Sequence, residues 1–242
     1  MKNDAHIQQM LAKQYDFDVK NVLVRARDLS AQNNWVLVQG ILTIISVAIV
    51  LGFIFVIAFG IETIEQAGNL DNTQNAIASL VINVILAPLI GGVTMLAITS
   101  VRRLEAKAVN MFAYFGYILP LGVATLLISI ASDIGLMLMV LPGLYIAVAT
   151  VFATPLIIDK HLTPISAIIL SMRMCNAYLF QMTVMFLIFV ALMVGVFITF
   201  GFALIWVGPY YLNVKAILYH DLFCGEQPEE SLENQNTGVF DA

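Results

Sequence analysis

The stretch Trp35–Gly60 reads WVLVQGILTIISVAIVLGFIFVIAFG and contains no charged side chain. A helix of about 20 apolar residues crosses the hydrocarbon core of a bilayer, so this stretch predicts a membrane-spanning helix. Trp35 is suited to anchor it at the membrane surface. The whole chain is 60% hydrophobic and 11% charged, whereas soluble domains are about 25% charged. The composition therefore predicts an integral membrane protein.

Further apolar stretches predict further spans, at about residues 74–100, 111–131, 136–158, 179–200 and 201–223. The fold class is therefore all-α: a polytopic membrane bundle of about six transmembrane helices in three antiparallel hairpins. We expect a turn at Ser132–Gly135 and a fourth span that is broken at Pro142-Gly143 and at Pro155. The last hairpin is just long enough for two spans, and a re-entrant pair that enters and leaves on one side is the alternative.

The basic residues fix the orientation of these spans. In the six-span arrangement all eleven Lys and Arg residues fall on one side, in four clusters: Lys2, Lys13, Lys20, Arg25 and Arg27; Arg102, Arg103 and Lys107; Lys160 and Arg173; and Lys215. Short loops rich in Lys and Arg stay on the cytoplasmic side of the membrane. We therefore expect a multi-pass protein of the bacterial inner membrane with both termini in the cytoplasm.

Three regions follow from this pattern. Residues 1–34 form a cytoplasmic segment, residues 35–223 the transmembrane domain, and residues 224–242 an acidic tail that we expect to be disordered. Within the first region one helical face carries Val19, Val22, Leu23, Ala26 and Leu29. This amphipathic helix either lies in the headgroup layer or packs as a cap on the cytoplasmic loops.

Two sets of residues inside the spans are candidates for a substrate pathway. The first set consists of helix breaks, which free backbone carbonyls: Pro88, Gly91, Gly92, Pro142, Gly143, Gly208 and Pro209. The second consists of intramembrane polar residues: Asn83, Thr94 and Asn213. The alternative to a substrate pathway is a structural role, in which small residues let helices pack closely and buried amides form hydrogen bonds between helices.

A third set lies at the cytoplasmic boundary, where Asp159, His161, His220 and Asp221 combine carboxylates with imidazoles. These residues form either a converging acid–base site or ordinary helix caps and interfacial residues. The sequence contains no metal-ligand spacing, nucleophile elbow or phosphate-binding glycine loop. We therefore predict no enzyme activity, no cofactor and no metal site.

Part of the chain resembles a known group. The segment LPGLYIAVATVFATPLIID, residues 141–159, is followed by LTPISAIILS, residues 162–171. It resembles the signature of YciC-like bacterial inner-membrane proteins and of the membrane domain of glycerophosphoryl diester phosphodiesterases. The resemblance covers about residues 16–225 and implies a helical inner-membrane protein of unknown function. It transfers no phosphodiesterase activity, because that chemistry lies in a separate soluble domain.

Three functions remain open at this stage. The first is non-enzymatic organisation of membrane lipids or of partner proteins. The second is a transporter or channel for a small or lipidic substrate, through a cleft lined by the Pro/Gly-broken helices. The third is an interfacial enzyme that uses Asp159 and His220. We expect membrane lipids as partners and no nucleic acid, since no basic stripe with interleaved aromatics lies outside the spans.

Overall fold

A computed structural model of the chain describes residues 2–12, 17–60 and 72–224, and all regular elements in these ranges are helical. The acidic tail from residue 225 onward lies outside the described residues. In chain order the elements are α1 (Lys2–Leu11), α2 (Val19–Ala58), α3 (Asn72–Val101), a 3₁₀ helix (Ala108–Tyr117), α4 (Ile118–Leu138), α5 (Val140–Ala149), α6 (Ala153–Asp159), α7 (Pro164–Ala177), α8 (Leu179–Ile198) and α9 (Leu204–Phe223).

Five segments of the described chain are long and apolar enough to cross a membrane. They are Asn34–Ala58, Ala78–Val101, Ala108–Leu138, Val140–Asp159 and Leu179–Ile198. Large apolar side chains are exposed on these segments, including Phe53, Ile57 and Phe197, the last with 83% of its surface accessible. Extensive exposed apolar surface of this kind is typical of a face that contacts lipid. The helical class and the membrane character predicted from the sequence are thus present in the structure.

Helix α9 differs from the five spans. It has 20 residues, about 30 Å of helix, but it carries Asn213, Lys215, His220 and Asp221. Tyr219 and Phe223 of α9 are fully buried, and the helix packs mainly against α2 and α3. The six-span arrangement therefore remains a prediction at α9.

The amphipathic segment near the N-terminus is continuous with the first span. Helix α2 runs for 40 residues without interruption, about 60 Å. The apolar face of its first part packs into the protein, since Val22 and Ala26 are fully buried and Leu23 and Leu29 rest against the core. This face therefore packs against other helices of the protein.

The third and fourth spans depart from prediction in where they begin and break. The third begins in a ten-residue 3₁₀ helix, and the expected turn at Ser132–Gly135 is wrong because α4 continues to Leu138. The chain reverses at Met139 alone, which is extended (φ −165°, ψ 157°). Because this connection is so short, α4 and α5 lie in close contact at Gly135 and Gly143, as described below.

The fourth span is interrupted, but not at the residues expected. The interruption lies at residues 150–152, between α5 and α6. Pro142 and Pro155 instead lie in the first turns of α5 and α6. A backbone N–H has no acceptor within the helix at these positions, so a proline there loses no hydrogen bond. Ser171 of α7 forms hydrogen bonds with the backbone on both sides of this interruption. Its hydroxyl donates to the Ala149 carbonyl at 2.7 Å and accepts from the Phe152 N–H at 3.2 Å.

Candidate functional site

Two Arg–Asp ion pairs lie at one end of the bundle, which we call the polar end. The first pair joins Arg102 and Asp159. Arg102 follows α3, and its Nη1 and Nη2 atoms each lie 2.9 Å from a carboxylate oxygen of Asp159 at the end of α6. Tyr219 of α9 donates its hydroxyl to Asp159 Oδ2 at 2.8 Å. Arg102 also donates to Cys224 Sγ at 3.4 Å. This cluster joins α3, α6 and α9.

The surroundings of Arg102 keep it charged. Burial alone would lower the pKa of Arg102, but its hydrogen bonds to Asp159 and Cys224 and the nearby negative charge together raise that pKa. A bidentate, charge-assisted pair of this kind is among the stronger polar contacts in proteins. Because the Asp159 oxygens already accept from Arg102 and Tyr219, this carboxylate is poorly placed to take a proton from a substrate.

The second ion pair joins Arg25 of α2 to Asp221 of α9. Arg25 Nη1 lies 2.7 Å from Asp221 Oδ2, and Nη2 lies 3.2 Å from Oδ1. Only 1% of the Asp221 side chain is exposed. The His6 ring nitrogen Nε2 lies 3.2 Å from the Asp221 backbone carbonyl, and His220 Nδ1 lies 3.8 Å from Oδ1. This second cluster therefore ties α1 and α2 to α9.

The four predicted boundary residues do not form one acid–base site among the residues described. Tyr219, which binds Asp159, and Asp221 are two positions apart on α9, so their side chains leave the helix in roughly opposite directions. His161 makes a third, separate contact, with its Nδ1 3.0 Å from the Tyr117 hydroxyl and the two rings stacked. The arrangement is that of a structural end cap.

Helix α1 completes this end cap. It contacts α7 and α9, and the Tyr178 hydroxyl, which is buried, donates to the Met10 carbonyl at 2.8 Å. Sequence reasoning missed Arg25, Arg102 and Tyr219 as the partners of the two aspartates. No local pattern signals these pairs, because they join residues 57 to 196 positions apart.

The described part of the chain contains no cluster of three His, Cys, Asp or Glu side chains that could hold a metal ion. Cys175 is buried in α7, and burial raises the pKa of its thiol to about 11. A thiol with so high a pKa is protonated near neutral pH and is neither a good nucleophile nor a ready metal ligand.

The predicted breaks in α3 lie at a close-packing surface. Pro88, Gly91 and Gly92 are all buried within one continuous helix. A methyl group added at Gly92 would lie 2.6 Å from the Met111 carbonyl oxygen, and one at Gly91 would lie 2.8 Å from Ile158 Cδ1. These glycines let the 3₁₀ helix and α6 approach α3.

The other two sets of breaks behave similarly. A methyl group at Gly135 would lie 2.8 Å from the Gly143 Cα atom, so α4 and α5 meet backbone to backbone. A methyl group added at Gly208 would lie 2.8 Å from Ile41 Cδ1 of α2, and the adjacent Pro209 is buried within α9.

The three intramembrane polar residues lie apart. Asn83 is exposed on the outer surface of α3. Thr94 is fully buried, and its hydroxyl donates to the Ile90 carbonyl of its own helix at 2.9 Å. Asn213 is fully buried and donates to the Ser30 hydroxyl of α2 at 2.9 Å. The side-chain oxygen Oδ1 of Asn213 is buried and has no hydrogen-bond partner among the described residues.

An open cleft of about 480 Å³ lies elsewhere, between α5, α8 and α9. Apart from Lys215 it is walled by apolar and aromatic side chains: Ala147, Val148, Val151, Phe152, Met182, Met185, Phe186, Phe189, Val190, Met193, Val194, Phe197, Tyr211, Val214 and Leu218. No predicted helix break or intramembrane polar residue is among them. The cleft exists because α8 makes few contacts with α9 and with the rest of the bundle.

Sequence reasoning missed this cleft, although one signal for it was present. Met182, Met185, Phe189 and Met193 recur on α8 at intervals of three or four residues, which places them on one helical face. Flexible Met side chains are common both in cores and on adaptable binding surfaces. The pattern alone does not separate the two, since it says nothing of how far α8 stands from α9.

In the residues that the structure describes, fold and site together define a helical protein with five apolar segments long enough to cross a membrane, a salt-bridged polar end and an open apolar cleft. No protein-family model, no curated protein and no solved structure matches this chain.

Proposed function

We propose that this protein is a non-enzymatic integral membrane protein that binds and organises lipid, holding lipid chains in the cleft between α5, α8 and α9. The cleft is the observation that carries this proposal. Its volume lies within the range of small-molecule sites, about 300–1,000 Å³, and its wall is almost entirely apolar. A lining of this kind suits a hydrocarbon chain and offers few polar groups to a hydrophilic solute.

The two ion pairs support the non-enzymatic part of the proposal. Asp159 and Asp221 are the acidic residues that a boundary enzyme would use, and each is held by an arginine in the structure. The transport alternative has no comparable support, because the cleft is not lined by the Pro/Gly breaks on which it rested.

Native mass spectrometry of the protein in gentle detergent tests the proposal. We expect the wild type to retain lipid at a fixed stoichiometry. Val190→Trp fills the cleft with a bulky side chain and should abolish retention, whereas Leu187→Trp, on the same helix but outside the cleft lining and 59% exposed, should not. Equal retention by both variants, or no retained lipid in the wild type, would contradict the proposal.

The proposed location is a bacterial inner membrane, crossed six times with both ends in the cytoplasm. The support is the distribution of basic residues: Lys20, Arg27, Arg103, Lys107 and Arg173 are exposed, and none lies inside the five apolar spans. The resemblance to YciC-like proteins remains a proposal that agrees with this location.

Cysteine labelling tests the orientation in a background in which Cys175 and Cys224 are replaced by Ser. A membrane-impermeant maleimide should reach Asp133→Cys only from the periplasmic side and Arg103→Cys only from the cytoplasmic side. Both positions are exposed in the structure. Labelling of both from one side would overturn the arrangement of the third span.

A further inference from the structure

The cleft contains one charged side chain, Lys215 of α9. Arg25 and Arg102, the two partly buried arginines at the polar end, each face an aspartate. Lys215 differs, because among the described residues the structure shows no hydrogen bond or ion pair to its ammonium group. None of the other residues lining the cleft is acidic. A lone cation among apolar side chains is the complement of an anion that carries a hydrocarbon chain.

The position of Lys215 along α9 also favours an anionic ligand. It stands eight residues before Phe223, the last residue of α9, which is about 12 Å along the helix. An unpaired charge at such depth in a membrane protein is costly and is commonly matched by a partner. A long lysine side chain can also reach toward the membrane surface. Here, however, Lys215 forms part of the cleft wall with Val214 and Leu218.

The shape of the cleft suits an anion with one hydrocarbon chain. Its apolar wall follows α8 from Met182 to Phe197, about 22 Å of helix, which matches the length of one extended long acyl chain. One cation likewise matches one negative charge.

We propose that Lys215 binds the carboxylate of a long-chain fatty acid whose chain lies in the cleft against α8. This inference rests on the proposed function and adds the class of ligand and the residue that selects it. The carboxylate accepts hydrogen bonds from the Lys215 ammonium group, and the chain contacts the Met and Phe stripe of α8.

The test compares two fluorescent probes on the full-length protein in neutral detergent: cis-parinaric acid, an 18-carbon fatty acid, and the corresponding primary alcohol. The wild type should bind the acid at least tenfold more tightly than the alcohol, since a hydrogen bond to a charged group is worth about that much. Lys215→Met should abolish the preference of the protein for the acid over the alcohol. Lys215→Arg should retain it, as should Lys107→Met, which removes an exposed lysine.

The outcomes separate this inference from the proposed function. If the acid and the alcohol bind the wild type equally, or Lys215→Met keeps the preference, the cleft binds lipid but Lys215 does not select the anion. If neither probe binds the wild type, the proposed function fails as well. A phosphatidylglycerol that displaces the acid at lower concentration than oleate does would overturn the choice of a single-chain ligand.

Discussion

A single hydroxyl closes the break in the fourth span. Ser171 has none of its surface exposed, and it bonds both the Ala149 carbonyl and the Phe152 N–H where α5 gives way to α6. A backbone carbonyl and N–H buried without partners are costly, above all inside a membrane. Ser171 therefore provides hydrogen-bond partners for two backbone groups that the interruption of the helix would otherwise leave unpaired in an apolar interior.

Replacing Ser171 with Ala should lower the free energy of unfolding by about 1–3 kcal/mol, since both backbone groups lose their buried partner. Titration with SDS from a mild-detergent micelle measures this change. Ser79→Ala, at an exposed position of α3, serves as the control and should have little effect. Equal stability of the two variants would show that the break needs no closing hydroxyl.

At the scale of residues, the sequence indicated which charged side chains were notable, but not which residues they would contact. Asp159 and Asp221 stand out as acids beside apolar helices, and both are engaged at the polar end of the bundle. Their arginines come from α2 and the end of α3, and such pairings depend on how distant helices assemble. Lys215 is readable as a lysine within a span, but only the structure places it in a cleft.

At the scale of elements, the 3₁₀ helix at Ala108–Tyr117 is the least expected feature. Such helices rarely exceed three or four residues, and this one has ten. Its Met111 is fully buried, and its backbone lies against Gly92 of α3. Composition and hydropathy predicted an apolar helix here, but they cannot distinguish 3₁₀ from α geometry. The contact with Gly92 depends on tertiary packing.

Gly92→Ala should therefore destabilise the protein by about 1–3 kcal/mol, as expected when a methyl group is forced into a packed interior. The added carbon would meet the backbone of Met111, which cannot rotate away as a side chain can. Gly52→Ala, in the last two turns of α2 with nothing within 4 Å of the added carbon, should be neutral or stabilising by up to about 1 kcal/mol.

Thermal unfolding of both glycine variants in the same detergent measures the contrast. If Gly92→Ala is as stable as Gly52→Ala, the close approach of the 3₁₀ helix to α3 is absent from the protein in solution.

At the scale of the whole molecule, α9 links the helices at the polar end of the bundle. Its two faces receive the two ion pairs, and through them α1, α2, α3 and α6 are fixed at one end. Helix α8 lacks such ties and makes few contacts. The molecule thus combines a rigid, salt-bridged end with a loosely attached helix, and the cleft lies between the two.

Asp221→Asn should destabilise the protein, because it removes the buried carboxylate that Arg25 contacts with both of its terminal nitrogens. Breaking a buried ion pair costs about 3–5 kcal/mol, and we expect the lower end, since 31% of the Arg25 side chain is exposed. Asp28→Asn makes the same chemical change at an exposed position of α2 and should shift stability by less than about 0.5 kcal/mol. Equal effects in SDS titration would refute a structural role for the pair.

The sequence predicted the class of the molecule and most of its spans because both follow from local apolar runs. It could not predict the cleft, which is set by the distance between α8 and its neighbours. It also treated the helix breaks as a candidate pathway, whereas in the structure Gly91, Gly92 and Gly143 are sites where helices touch.

Photo-crosslinking tests the central claim, lipid in the cleft, most directly. Membranes containing the protein are loaded with a fatty acid that carries a diazirine near the end of its chain, and the crosslinked peptides are mapped by mass spectrometry. The account predicts labelling concentrated on the cleft face of α8, at residues such as Met185, Phe189 and Met193, and its loss in Val190→Trp. Labelling spread over outward residues such as Phe180 and Leu187, unchanged by Val190→Trp, would contradict it.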